Sequence, residues 1–261
     1  MRPASARPSS YGVRLAAALA GAALALTACG GSEEPAGDSD GPDGRSALGA
    51  VSTAVAEQER VHQTIGDGGS EPAVDVLLDV TEPRTMQVLI ETMPGEGPPD
   101  DIEVRLVEGV LYVGGEVSDG WQSMPVDDPR AQGSDETFDA GFMPALLAID
   151  PAAEMAALEA AATEVEEVGR EEVEAVDSVH YRVTVDTEKW MSGLSPDAMQ
   201  AEVDLPKTIA VDLWVAPDDL PVRISYPVGT VGEDEAVNQV DYVEWDAPVD
   251  VDAPKNARPL R

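Results

Sequence analysis

Cysteine occurs once in 261 residues, at position 29, so no disulfide can form within the chain. Histidine occurs twice, phenylalanine twice and lysine three times. No apolar run approaches the roughly 20 residues that a bilayer-spanning helix needs; the longest is residues 15–26 (LAAALAGAALAL). The chain has no HExxH, SxxK or Walker-type loop, short motifs that carry metal, acyl or phosphoryl chemistry. Positive charge is scarce, with 16 Lys and Arg against 51 Asp and Glu and a formal net charge of −35. That balance excludes nucleic acid, whose phosphates reward positive charge, and disfavours lying flat on anionic lipid heads. Carboxylates are too numerous for any pair to stand out for acid–base work. No catalytic residue is therefore nominated, no cofactor is expected, and the chain reads as a non-enzyme.

The N-terminus carries the clearest pattern. Residues 1–14 hold Arg2, Arg7 and Arg14 and no acid, the apolar run follows, and Thr27 and Ala28 precede Cys29. A basic start, a short apolar core and small residues before a cut site make a secretory signal, here residues 1–28. Leu26, Thr27, Ala28 and Cys29 also resemble a bacterial lipobox, whose cysteine thiol carries a diacylglyceryl thioether. The alternative is an ordinary secreted protein whose leader happens to end near a cysteine. A lone cysteine at that one place favours Cys29 as the lipid attachment, holding the protein to the outer face of the cytoplasmic membrane. Cleavage removes three arginines and lowers the formal charge from −35 to −38.

Residues 29–45 are rich in Gly, Ser, Pro and acid and read as a lipidated, disordered tether. Asp38, Asp40 and Asp43 do not make a calcium loop: an EF-hand starting at Asp38 would place Pro42 fifth and Gly49 where a bidentate Glu belongs. No metal site is expected.

A single domain is expected over 46–254, with a tail at 255–261. Residues 46–61 fit an amphipathic helix with Leu48, Val51 and Val55 on one stripe. Short β-branched segments follow at 73–80, 85–91, 102–107 and 110–113, with an exposed hairpin end at 94–101. Residues 152–168 read as a helix capped by Asp150 and Pro151, with Met155, Leu158, Ala162 and Val165 inward and Glu154, Glu159 and Glu164 facing water. Strands are expected at 173–176 and 178–185, a short helix at 197–203, and strands at 208–215, 222–226 and 237–245. The order predicts an α+β domain with an antiparallel sheet.

The helix opening at Asp150, segment 172–186 (EVEAVDSVHYRVTVD), hairpin 211–223 (VDLWVAPDDLPVR) and segment 240–254 (VDYVEWDAPVDVDAP) resemble the actinobacterial LppX/LprG-type lipoproteins of the LolA-like superfamily. The lipobox and the strand before Gly120 and Trp121 extend the resemblance over most of the mature chain. Such chains commonly carry an Asp-Gly turn before the His/Tyr strand, where this one has Asp177 and Ser178. The resemblance implies a strongly curved antiparallel sheet, a half-open barrel wrapped over a few helices, with a cavity between sheet and helices for acyl chains.

Two phenylalanines leave Val, Leu, Ala and Met to line that interior, which suits an acyl chain and equally suits a filled core. Met143, Leu146, Leu147, Met155, Leu158 and Trp214 are the candidate ligand-binding residues. His62 and His180 read as surface or rim histidines, and the tryptophans more as core anchors than as a ligand platform. Three functions remain open: a carrier of a lipid or other hydrophobic ligand, a non-catalytic sensor with a filled core acting on an envelope protein partner, and, last, a hydrolase.

Overall fold

The computed structural model describes residues 44–69, 73–90, 102–115, 120–128, 130–131, 143–194, 205–231 and 234–260. The leader, Cys29, the segment 94–101 and the helix expected at 197–203 lie outside them. Helix α1 (Gly44–Ala56) is followed by strands β1 (Arg60–Gly66), β2 (Val74–Asp79), β3 (Thr85–Ile90), β4 (Ile102–Val107), β5 (Val110–Gly115) and β6 (Gln122–Pro125). Next come α2 (Met143–Leu147), α3 (Pro151–Ala161), the hairpin β7 (Ala162–Val173) and β8 (Val176–Asp186), and α4 (Thr187–Gly193). The chain ends with β9 (Thr208–Val215), β10 (Pro221–Val231), β11 (Asp234–Trp245) and a two-residue β12 (Arg258–Pro259).

All described strands belong to one curved, open sheet in the order β12-β6-β5-β4-β3-β2-β1-β11-β10-β9-β8-β7. Every pairing is antiparallel except β12 on β6, which draws the segment after residue 254 into the sheet. Strand β1 sits near the middle, between β2 and β11, so two meanders spread from it in opposite directions. Alternation along each strand sends one set of side chains to an inner face against the helices. Val61, Leu78, Met86, Leu106, Leu111 and Met124 form one inner cross-strand row, all at most 5% exposed. Fully burying such a side chain contributes about 1.5–3 kcal/mol. Helix α1 buries Leu48, Val51 and Val55, as its stripe requires, and packs on α3, which packs on α4. Gly193 permits that second contact: a Cβ there would lie 2.8 Å from the Ala157 Cβ.

Several expectations need correction. Helix α1 stops at Ala56, five residues early, and His62 lies in β1 instead of ending a helix. The β-branched run Val61, Thr64 and Ile65 finds partners on both sides, and that pairing outweighs the local helical pattern. Helix α3 likewise ends at Ala161, and 162–173 form an edge strand. Glu164, Glu166 and Glu167 are good helix formers by propensity, but ten register pairs with β8 override it. As an edge, β7 is blunted by its exposed carboxylates. The hairpin turn falls at Glu174 and Ala175, both left-handed (φ 50° and 66°), while Asp177 and Ser178 are paired inside β8. Strands β1, β6 and β12 and helix α4 were not anticipated.

Candidate functional site

The inner face divides into a sealed and an open part. Ile65, Val74, Ile90 and Ile102 form a continuous cross-strand row at the end of the sheet where the β1–β2 and β3–β4 connections lie. They point inward, on the same parity as fully buried Val76, Val88 and Val104, and pack against the core, yet each keeps accessible surface. Helices α1 and α3 cover the inner face near Val61; toward Ile65 the described elements leave the apolar face half-covered.

Where the two parts meet, polar groups gather. Tyr242 donates its hydroxyl to Glu154 Oε2 at 3.1 Å, linking β11 to α3. Asn238 Nδ2 donates to the Tyr226 hydroxyl at 2.8 Å, across the β10–β11 pair. Trp190 of α4, fully buried, meets the Tyr226 ring edge-on at 4.7 Å, and Tyr242 stacks on Trp245 at 4.9 Å. Gln63, 3% exposed, pairs across strands with Tyr242. Among the described residues, two buried atoms of this group have no hydrogen-bond partner, the Trp190 indole N–H and the Gln63 carbonyl Oε1.

Burial pushes the Glu154 carboxyl up to about 7, with Asp150 adding in the same direction and the Tyr242 hydrogen bond opposing. Burial also raises both tyrosine hydroxyls, with the Glu154 charge adding. Glu154 and Tyr226 nonetheless keep accessible surface. A group that protein strips of solvent and that still meets a water-sized sphere lies in a recess.

The candidate residues fall on two sides of the sheet. Met143, Met155 and Leu158 are fully buried and Leu146 is 8% exposed, all in the inner core that half-buried Leu147 joins. Trp214 is on the outer face, apart from the other five. It stacks on His180 at 4.4 Å and donates its indole N–H to Glu171. His180 bonds Asp212 at 2.9 Å, Arg182 shares that carboxylate, and Arg223 pairs with Asp241. A groove of ≈ 450 Å³ lies beside them, where the tip of the β7–β8 hairpin brings Glu174 within 3.5 Å of Arg223. Trp121 also lies on the outer face, under the Arg105 guanidinium. His62 is held at 2.9 Å from Asp75.

Glu154 was expected in water; α3 is covered on several sides, by α1, α4 and the sheet, so its buried arc is wider than one helical stripe. Tyr226, Asn238 and Tyr242 were not singled out. Asn238 and Tyr242 stand four apart in β11 with Val240 between them, and Asn238 pairs across to Tyr226 on β10, which marks an inward row only once the register is known.

Among the described residues no helix is long and apolar enough to cross a membrane, and no group of three or more His, Cys, Asp or Glu could hold a metal. No protein-family model and no curated protein matches the chain. Solved structures do. Lipoprotein LppX of Mycobacterium tuberculosis matches with a TM-score of 0.52 at 16% identity, over 80% of this chain and 98% of that one. LprF of Mycobacterium bovis matches with a TM-score of 0.53 at 16% identity, over 82% of this chain and 97% of that one. The chain has the LolA-like α+β fold of LppX and LprF.

Proposed function

We propose that this is a cell-envelope lipoprotein, tethered through Cys29 to the outer face of the cytoplasmic membrane, that binds or carries a lipid between its sheet and helices without catalysing a reaction. The observation that supports this most is the half-covered inner row Ile65, Val74, Ile90 and Ile102. An apolar face rimmed by strand ends and incompletely roofed is a site for an alkyl chain, and each methylene buried there contributes about 0.8 kcal/mol. Met143, Leu146, Leu147, Met155 and Leu158 form the adjoining wall in this reading, with Trp214 left out because of its place on the outer face. The fold shared with a protein named as a lipoprotein is consistent with it.

Native mass spectrometry of the protein purified from a lipid-rich bacterial host tests the proposal. Bound lipid that is lost on Ile90→Ser with Ile102→Ser supports it. Only ligand-free protein would refute it and favour the alternative of a filled core that acts on a protein partner.

A further inference from the structure

The chain leaves β11 at Asp246, whose N–H bonds the Arg60 carbonyl at 2.9 Å and whose left-handed backbone (φ 56°) turns it out of the sheet. Residues 247–252 then run without strand or helix. Ala247 is buried and Val249 and Val251 are half-buried, while Pro248, Asp250 and Asp252 are exposed, so the segment is extended with one side against protein. Arg105 of β4 catches it, donating from Nη1 to the Asp252 carbonyl at 2.9 Å. Arg105 alternates with buried Val104 and Leu106 and therefore stands on the outer face. Its guanidinium also bonds Glu103 and lies over Trp121, which is seated against Gly114 of β5, on the side away from β11. Farther on, the Arg258 and Leu260 N–H groups bond the Trp121 and Ser123 carbonyls and fix β12 to the β6 edge. Residues 246–260 are thus a strap outside the first meander, β1–β6, held at both margins and at β4.

The strap is tight in one half and loose in the other. Four strand spacings separate β11 from β4, roughly 19 Å along the backbone layer. The steps from Asp246 to Asp252 reach at most roughly 20–22 Å, and Pro248 trims that, since polyproline geometry advances only about 3.1 Å per residue. From Asp252 to Arg258 the same number of steps covers only the three spacings from β4 to β12, roughly 14 Å.

Where a tie sits determines what it resists. Hydrogen bonds hold neighbouring strands at a nearly constant spacing, so curling a sheet crowds side chains on the concave face and spreads them on the convex one. The sheet curves around its helices, which makes the outer face convex. A taut tie there opposes further curl. Such curl would fold Ile90 and Ile102, on β3 and β4, toward Ile65 and the helices and close the half-covered part of the inner face.

We propose that residues 246–252, anchored by Arg105, are a brace that limits the curl of the first meander and so keeps the inner row Ile65, Val74, Ile90 and Ile102 open to a ligand. The consequence for the ligand rests on the inner face being a lipid site; the limit on curl does not.

The test lengthens the strap without removing an anchor. Gly-Ser-Gly inserted between Asp250 and Val251 adds roughly 10 Å of reach. The same insertion between Ala253 and Pro254 adds it where the strap is already loose. Both are made in the full chain with Cys29→Ser, with spin labels on Glu244→Cys and Asp127→Cys, two exposed positions on either side of the first meander. Pulsed dipolar spectroscopy gives the distance between the labels, and fluorescence titration of the unlabelled proteins with dansylundecanoic acid gives ligand access. The insertion after Asp250 is expected to shorten the distance by several ångströms and to weaken probe binding severalfold, while the insertion after Ala253 matches the parent in both. Should the lengthened chain fail to fold, Arg105→Gln, which frees the anchor and leaves the strap intact, takes its place with the same expectation. An unchanged or longer distance overturns the brace, as does an equal effect of the two insertions. A shorter distance with unchanged probe binding overturns the link to the inner row. Failure of the parent to bind the probe counts against the lipid reading, and the distance change then decides the brace by itself.

Discussion

Glu154→Gln should make the protein less sensitive to rising pH. In the folded state burial pushes the carboxyl up to about 7 from its ordinary 4.5. Between those values the folded chain holds a proton that the unfolded chain has released. Stability from this group is therefore fully present below the unfolded value, is lost as pH rises from about 4.5 to about 7, and stays lost above that. At 1.36 kcal/mol per unit the full loss is about 3 kcal/mol, and since Glu154 keeps some exposure we expect about 1–3 kcal/mol. Glutamine preserves the shape and can still accept from Tyr242, but it has no charge to desolvate. For a domain of this size, about 2–4 °C per kcal/mol converts this to roughly 2–12 °C. Thermal melts of both proteins at five values from pH 5 to pH 9 supply the difference curve, which cancels the repulsion shared by all other carboxylates. The difference should rise in favour of Glu154→Gln between pH 5 and pH 8 and then level off. A flat difference, or one that falls with pH, would refute the assignment of Glu154 to a desolvated recess.

Cys29→Ser should move the protein from the detergent phase to the aqueous phase in a cloud-point partition of whole cells; unchanged partition would remove the lipid anchor from the account. Leu158→Ala, at a fully buried α3 position, should cost about 2–5 kcal/mol in denaturant titration, and a cost under 1 kcal/mol would mean the site is not packed as described. Gly114→Ala places a Cβ 2.6 Å from the Trp121 ring, so the indole must leave its seat beside Arg105. Tryptophan emission should shift to the red, and an unchanged spectrum would contradict that contact. Asp212→Asn should loosen Arg182 and His180 together, visible as broadened His180 ring signals in NMR, with less than about 1 kcal/mol lost because exposed ion pairs contribute little.

The fold class was legible because most strands announce themselves by alternation: 102–107 and 208–215 match β4 and β9 to the residue. So was the stripe of α1, where Leu48, Val51 and Val55 are all buried. What failed was local pattern where distant pairing decides. Residues 162–168 look helical through their glutamates, and only the partnership with β8 makes them a strand. The turn at Glu174 and Ala175 has neither the Gly nor the Asn that left-handed positions favour, and the resemblance pointed three residues downstream, to Asp177 and Ser178. The apolar wall was readable as a list of Met and Leu on helices. The recess was not, because Glu154, Tyr226 and Tyr242 come from three elements, and a glutamate on a helix is by default a solvated one.

The pairing of β1 with β11 has a consequence for how the molecule comes into being. Val61 is matched with Trp245 and Ile65 with Val240, so the two meanders stay apart until nearly the whole chain is available. Contacts of such long sequence separation slow folding, because the loop entropy must be lost before the pairing returns anything. A chain read as exported across a membrane gains from that delay, since it stays threadable until translocation is almost complete. The pairing of Gln63 with Tyr242 arises only in that late step, whereas the inner row Ile65, Val74, Ile90 and Ile102 lies wholly within the first meander.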